Sequence, residues 1–285
     1  MSDIRVQYRS LLRDVAALGT SEGVNLVAFS GGVDSSLVAK AVFDVFPANS
    51  EAVLALSPSV PRTMRESASE IAALIGIPLR TVDTAEHLDP TYIANEGMSC
   101  YVCKSHIYMA MKAVAAEARK RPGTVLLFNG NNAEDLQDAT RVGIRAAREH
   151  AVRSPLERFT KQEVRALSRH AGLPNWATAA SPCLRSRLHA GVPATGEHLR
   201  RIEEAEQHLR EQFGLADQVN FRVRHLPGDE AIVEIDASLL DRIDLDRCRD
   251  TLYPLGFTAV GKRAFRSGSV SALPTEPPSQ HPSSS

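Results

Sequence analysis

Long hydrophobic runs are missing from this chain. No apolar stretch approaches the roughly 20 residues of a membrane helix, and the first residues are charged and amphipathic rather than leader-like. Net charge is missing too: 33 Lys and Arg against 34 Asp and Glu leave −1, with a pI near 6.8. No global basic field therefore argues for nucleic acid, and no RNA-binding domain is visible. Cysteine is scarce. Four in 285 residues are too few for a disulfide scaffold and point to structure, metal or catalysis in a reducing compartment. A cytoplasmic enzyme with no membrane partner is the expectation. The length accommodates one large domain or two modest ones, and no internal repeat is present.

One further absence sits inside the most informative stretch, Ala28-Phe29-Ser30-Gly31-Gly32-Val33-Asp34-Ser35-Ser36. An apolar, strand-like segment from Val24 to Phe29 leads into it, and apolar residues from Leu37 to Phe43 follow at helical spacing. A strand, a glycine turn and a helix in that order aim backbone N–H groups and a helix N-terminus at one point, where an anion binds well. Gly31 and Gly32 permit close backbone approach, and Ser30, Ser35 and Ser36 add hydroxyl donors. A Walker loop carries Lys at the helix entrance. This one lacks it and has Asp34 instead, and a carboxylate beside phosphates makes sense when a cation such as Mg²⁺ bridges them.

Strand-like and helical segments alternate from there. Ala52 to Leu56, Leu79 to Val82 and Thr124 to Phe128 read as further buried strands; Arg62 to Ile75, Lys104 to Arg119 and Gly143 to His150 read as helices. Thr160-Lys161-Gln162-Glu163 is a capping box that opens a helix ending near Gly172. The alternation predicts a parallel α/β sheet, with ligands at the carboxyl ends of its strands, where Asn129 to Asp135 forms a polar loop. After Pro174 the pattern changes. Asn175 to Pro193 shows no clear element, and loops of that length tend to be functional. Then come a charged helix from Glu197 to Phe213 and a half-buried strand in which Arg222 and Arg224 take the polar face. A partner strand from Ala231 to Ile235, a helix from Leu239 to Tyr253 and a last strand from Thr258 to Phe265 complete a second, smaller α/β unit. The expected division is 1–180, 181–272 and a disordered Pro/Ser tail over 273–285.

The thiols are Cys100 and Cys103 in a C-x-x-C, Cys183 in the long loop, and Cys248, read as structural. A lone C-x-x-C serves zinc, disulfide exchange or an iron–sulfur cluster equally well. No second C-x-x-C completes a structural zinc site, although His106 is near. Three thiolates on a [4Fe-4S] cluster would leave one iron open for an exogenous sulfide.

The Ser30–Ser36 stretch resembles the PP-loop of the ATP pyrophosphatase superfamily, whose members cleave ATP between the α and β phosphates and adenylate a substrate. Taken with Ser57-Pro58-Ser59-Val60-Pro61, Cys100-Tyr101-Val102-Cys103-Lys104, Ser181-Pro182-Cys183-Leu184 and Phe265-Arg266-Ser267-Gly268-Ser269, the chain resembles the LarE family. The resemblance implies a Rossmann-like PP-loop domain with ATP on Ser30, Gly31, Gly32, Val33, Asp34, Ser35, Ser36 and Ser57. It implies adenylation of a carboxylate of pyridinium-3,5-dicarboxylate mononucleotide and its conversion to a thiocarboxylate, for the nickel-pincer nucleotide cofactor. Cys183 matches the family's sulfur-supplying cysteine, and the additional C-x-x-C matches members whose Cys100, Cys103 and Cys183 equivalents hold a [4Fe-4S] cluster. A sulfur donor and a homo-oligomer are implied as well. Arg187, Arg222, Arg224 and Arg266 are expected to anchor substrate phosphate and carboxylate, and Asp34 with Glu134 or Asp135 to hold Mg²⁺, while Glu234 reads better as a solvated strand position. Two features depart from the family pattern: Ala139 to Gly143, which clouds the role of Arg141, and the plain Ala177 to Ala180. A tRNA thiolase or an amide-forming synthetase would share the loop; the first needs a basic surface, and the second has no use for Cys183.

Overall fold

The computed structural model describes residues 3–117, 124–138, 142–180 and 182–266; Arg141, Ser181 and the tail lie outside them. Helix α1 (Ile4–Leu18) begins where the Asp3 side chain accepts from the Arg5 N–H at 3.0 Å. Strand β1 (Val24–Ala28) follows, then α2 (Val33–Val45), β2 (Ser50–Leu56), α3 (Arg62–Ile75) and β3 (Leu79–Asp83). The short α4 (Pro90–Ala94) and long α5 (Ser99–Glu117) precede β4 (Val125–Phe128), and three helices come after it: α6 (Ala133–Gln137), α7 (Gly143–Glu149) and α8 (Lys161–His170). The four strands form one parallel sheet in the order β3-β2-β1-β4, the parallel α/β sheet that the alternation predicts and the Rossmann-like PP-loop architecture that the resemblance implies.

Neighbouring strand residues face opposite layers, as a period of two requires. Val27 and Leu54 join α1, α2, α3 and α8 in one core, while Leu26 and Val53 join α5 and α7 in the other. Helix α2 runs through the first layer with Leu37, Val38, Ala39, Ala41 and Val42 all buried, so its N-terminus is fixed rigidly at the sheet's carboxyl edge.

The smaller unit consists of α9 (Gly196–Phe213), β5 (Phe221–Leu226), β6 (Glu230–Ile235), α10 (Leu245–Leu252) and β7 (Ala259–Ala264), its sheet ordered β5-β6-β7. Two sequence expectations change here. The Leu239-to-Tyr253 helix is a 3-10 segment at 237–242 followed by α10, because the Asp244 side chain accepts from the Asp246 and Arg247 N–H groups and starts a new helix. Strand β5 is buried on both faces rather than half-buried, so Arg222 and Arg224 lie inside the unit.

A third apolar cluster joins the two sheets' territories. Tyr92 of α4 and Val102 of α5 pack with Leu184, Leu188, Val192, Leu199 and Ile202. The thiol-bearing loop is thereby pressed against the helix that carries the C-x-x-C. Among the described residues no helix is long and apolar enough to cross a membrane.

Candidate active site

The glycine turn has the geometry its composition calls for. Gly31 sits at φ +73°, and a Cβ there would lie 2.8 Å from the Ala68 Cα, so both conformation and space exclude a side chain. Ser35 Oγ donates to the Gly32 carbonyl at 3.1 Å, and the Ser30 N–H donates to Ser35 Oγ at 3.2 Å. Helix α2 starts at Gly32 with no side-chain cap, leaving its first N–H groups for a ligand. The loop after β4 closes on this turn: a Cβ on Gly130 would stand 2.9 Å from Ser35 N. Nothing in the sequence distinguishes Gly130 from an ordinary turn glycine.

Asp34 points into this junction. Its Oδ1 accepts from Asn132 Nδ2 at 2.8 Å, and Asn132 caps α6 through a reciprocal capping box with Asp135. Burial pushes the Asp34 carboxyl above its ordinary value; the Asn132 hydrogen bond opposes this, and the nearby Asp135 charge adds to the rise. Two carboxylates drawn together at a helix entrance, with Lys161 Nζ 3.7 Å from Asp135, suit a divalent cation. Glu134 is a correction. Both its oxygens accept from the Lys161 backbone N–H, at 3.0 and 2.9 Å, so it caps α8, and Asp135 is the carboxylate that accompanies Asp34.

Ser57 lies at the end of β2. Its hydroxyl is 2.9 Å from that of Ser59, and its carbonyl accepts from Arg65 Nη2 at 3.0 Å. The Ser59 carbonyl accepts from the Leu184 N–H at 2.8 Å, which ties the residue after Cys183 to the nucleotide half of the molecule.

Cys100 and Cys103 occupy the first turns of α5, which starts at Ser99 rather than near Lys104, with Cys183 preceding a 3-10 turn at 184–187. The three thiols converge. Burial, then the Cys183 charge, push the Cys103 thiol above the usual cysteine range, with Cys100 adding to the effect. Two cations that the sequence reading left out face them. Arg185 Nη2 reaches Cys100 Sγ at 3.0 Å while its Nη1 donates to Asn95 Oδ1 at 2.8 Å. Burial works against the Lys104 charge, but Tyr108 and all three thiols outweigh it and hold the ammonium above its ordinary value. The Lys104 charge partly offsets the rise at Cys103, and two cations beside three thiols suit an anionic group held there. Ligand atoms of His198, His225 and Asp229 all lie within 4.8 Å of one another, but Arg201 already takes Asp229 Oδ1 at 2.7 Å.

The four candidate anchor arginines separate into distinct roles. Arg187, 1% exposed, grips Glu206 through Nε at 2.9 Å and Nη2 at 3.2 Å, and its Nη1 donates to the carbonyls of Pro182 and Cys183. Arg224 pairs with Glu234 at 2.7 Å, and Arg263 takes the other carboxylate oxygen. Glu234 is fully buried, not solvated. Among the described residues no carboxylate hydrogen-bonds Arg222, although Glu206 lies near enough to favour its charge. Arg222 donates to the carbonyls of Phe221 and Ala180 and stacks over Phe265 at 5.6 Å. Burial, then the neighbouring Arg187, push its guanidinium down to about 10. Arg266 is exposed at the end of β7. Cys248 is buried within the small core, its thiol pushed up to about 11 by burial.

A parallel sheet that presents a lysine-free glycine loop at its carboxyl edge, with a thiol cluster docked beside it, defines the PP-loop class. No protein-family model matches the chain. It is 42% identical over 187 residues to the uncharacterized protein slr1717 of Synechocystis sp., covering 65% of this chain and 68% of that protein. It is also 32% identical over 262 residues to the pyridinium-3,5-bisthiocarboxylic acid mononucleotide synthase of Lactiplantibacillus plantarum, covering 89% of this chain and 91% of that one. The chain belongs to the LarE family.

Proposed function

We propose that this chain is an ATP-dependent sulfur transferase that converts a carboxylate of pyridinium-3,5-dicarboxylate mononucleotide to a thiocarboxylate, in nickel-pincer cofactor biosynthesis. The observation that carries the reading is the convergence of Cys100, Cys103 and Cys183 with Lys104 and Arg185, on a segment hydrogen-bonded to the β2 loop. The Ser30–Ser36 turn and the N-terminus of α2 cradle the β and γ phosphates, and Ser57 lies by the adenosine. Asp34 and Asp135 would hold Mg²⁺, which would offset the charge that grows as pyrophosphate leaves. A substrate carboxylate oxygen attacks the α-phosphorus, the α–β bridge breaks, and the mixed anhydride with AMP forms. A sulfur nucleophile then adds to the acyl carbon and AMP departs with the bonding electron pair. When bound by the three cysteines, a [4Fe-4S] cluster supplies that sulfur as an extra sulfide. Lys104 and Arg185 set positive charge against the thiol cluster, and Arg187 fixes Cys183 by its backbone carbonyl. Arg222, hydrogen-bonded to carbonyls rather than to a carboxylate, takes the mononucleotide phosphate.

Anaerobically purified protein is expected to be brown, with iron–sulfur absorption that is lost in Cys103→Ser. A colourless protein whose Cys183 loses the mass of hydrogen sulfide during turnover would replace the cluster route with a sacrificial one. Absence of pyrophosphate release from ATP would remove the adenylation step altogether.

A further inference from the structure

Asn175 lies in the 3-10 turn at 174–177, more than 130 residues from the glycine loop, yet its side chain is built into that loop. Its Nδ2 donates to the Gly31 carbonyl at 2.7 Å and to Ser36 Oγ at 3.1 Å. The amide orientation is fixed chemically, since a carbonyl only accepts and a flipped amide would set Oδ1 against the Gly31 oxygen. The residue is 8% exposed, and its Oδ1 is buried with no hydrogen-bond partner. Buried acceptors are seldom left unpaired. The fold tolerates one here in order to keep both N–H bonds on the loop.

The turn that carries Asn175 is itself anchored. Arg165 Nη1 and Nη2 donate to the carbonyls of Trp176 and Thr178 at 2.8 and 2.9 Å, and Arg169 stacks over Trp176 at 4.9 Å. Helix α8 therefore holds the amide in place from behind. Gly31 is in the left-handed region, where a small rotation of the following peptide would turn its carbonyl toward a bound anion and its neighbours' N–H groups away. We infer that Asn175 is a positioning residue of the nucleotide site: it takes the Gly31 carbonyl out of the phosphate cradle and so keeps the loop's donors aimed at pyrophosphate. The inference rests on the reading of this loop as a pyrophosphate site.

The test is calorimetric titration of Mg²⁺-pyrophosphate into the full chain and into Asn175→Leu and Asn175→Asp, which match the asparagine in size and lack its N–H donors. Both are expected to bind at least about tenfold more weakly, the scale set by lost hydrogen bonds. In steady-state pyrophosphate release the ATP KM should rise while kcat changes less. Thermal melting without ligand checks folding, and Asn175→Ala, which removes the amide donors without placing a larger apolar group there, makes the same comparison if the leucine variant does not fold. Variants that bind pyrophosphate like the parent chain would overturn the inference and leave the reading of the loop intact. A parent chain that binds no pyrophosphate would overturn both.

Discussion

The two halves of the molecule handle charge in opposite ways. At the edge of the parallel sheet, the loop after β1 offers backbone N–H groups, hydroxyls and an uncapped helix terminus, with Asp34 and Asp135 as its carboxylates and Lys161 beside them. The smaller unit and the segment leading into it bury Arg187, Arg222 and Arg224 outright and pair Arg187 with Glu206 and Arg224 with Glu234. Backbone donors are suited to a ligand that arrives, reacts and leaves, because they need no counter-charge in the empty state. Buried guanidinium groups need one at all times. Where a carboxylate supplies it, the arginine serves the fold; where none does, as at Arg222, charge remains for a ligand.

Removing one member of the doubly bridged set should have the largest effect. Glu234→Gln removes the buried carboxylate that Arg224 and Arg263 share and is expected to lower stability by about 3–5 kcal/mol in urea unfolding. A loss well under 1 kcal/mol would show that the pairs do not hold the unit together. Next comes Asp34→Asn, which should reduce pyrophosphate release by about 100-fold or more, some 2.7 kcal/mol of transition-state stabilisation, with an unchanged melting temperature. Retained release would move the cation to other ligands.

The smallest effect sharpens the contrast most. Arg222 is charged in folded and unfolded chains at neutral pH, and burial lowers its folded pKa to about 10. Its cost to stability is therefore fully present below pH 10 and shrinks as pH rises from there toward the unfolded value. Arg222→Gln should leave stability at pH 7 within about 1 kcal/mol of the parent or slightly raise it, while weakening the mononucleotide more than ATP. Strong destabilisation by Arg222→Gln would place it with Arg187 and Arg224 as a residue of the fold.

Much of this was legible in the chain itself. The four parallel strands, the capping box at Thr160, the glycine loop and the cysteine spacing are local patterns, and each appears where expected. The anchors were less legible, because alternation in Val219 to Arg224 describes a strand with one wet face, and only the segment around Ser186 and helix α9 covers the arginine side. Glu134 and Asp135 are adjacent in sequence and chemically alike. Which of them joins Asp34 depends on the Lys161 N–H groups at the start of α8, a contact no spacing reveals. Lys104 and Arg185 sit beside the cysteines in sequence, yet a lysine or arginine next to a thiol carries no signal until the fold points it there.

Sequence alone settled what recurs at short range: backbone periodicity, turn chemistry and a phosphate-binding loop, since these follow from the residues' own φ, ψ and hydrogen-bonding limits. Tertiary structure decided which charges are spent on one another and which remain for a ligand. Electrostatic energy in a buried site depends on distance and solvent exclusion among residues far apart in the chain, and neither quantity is written in their order.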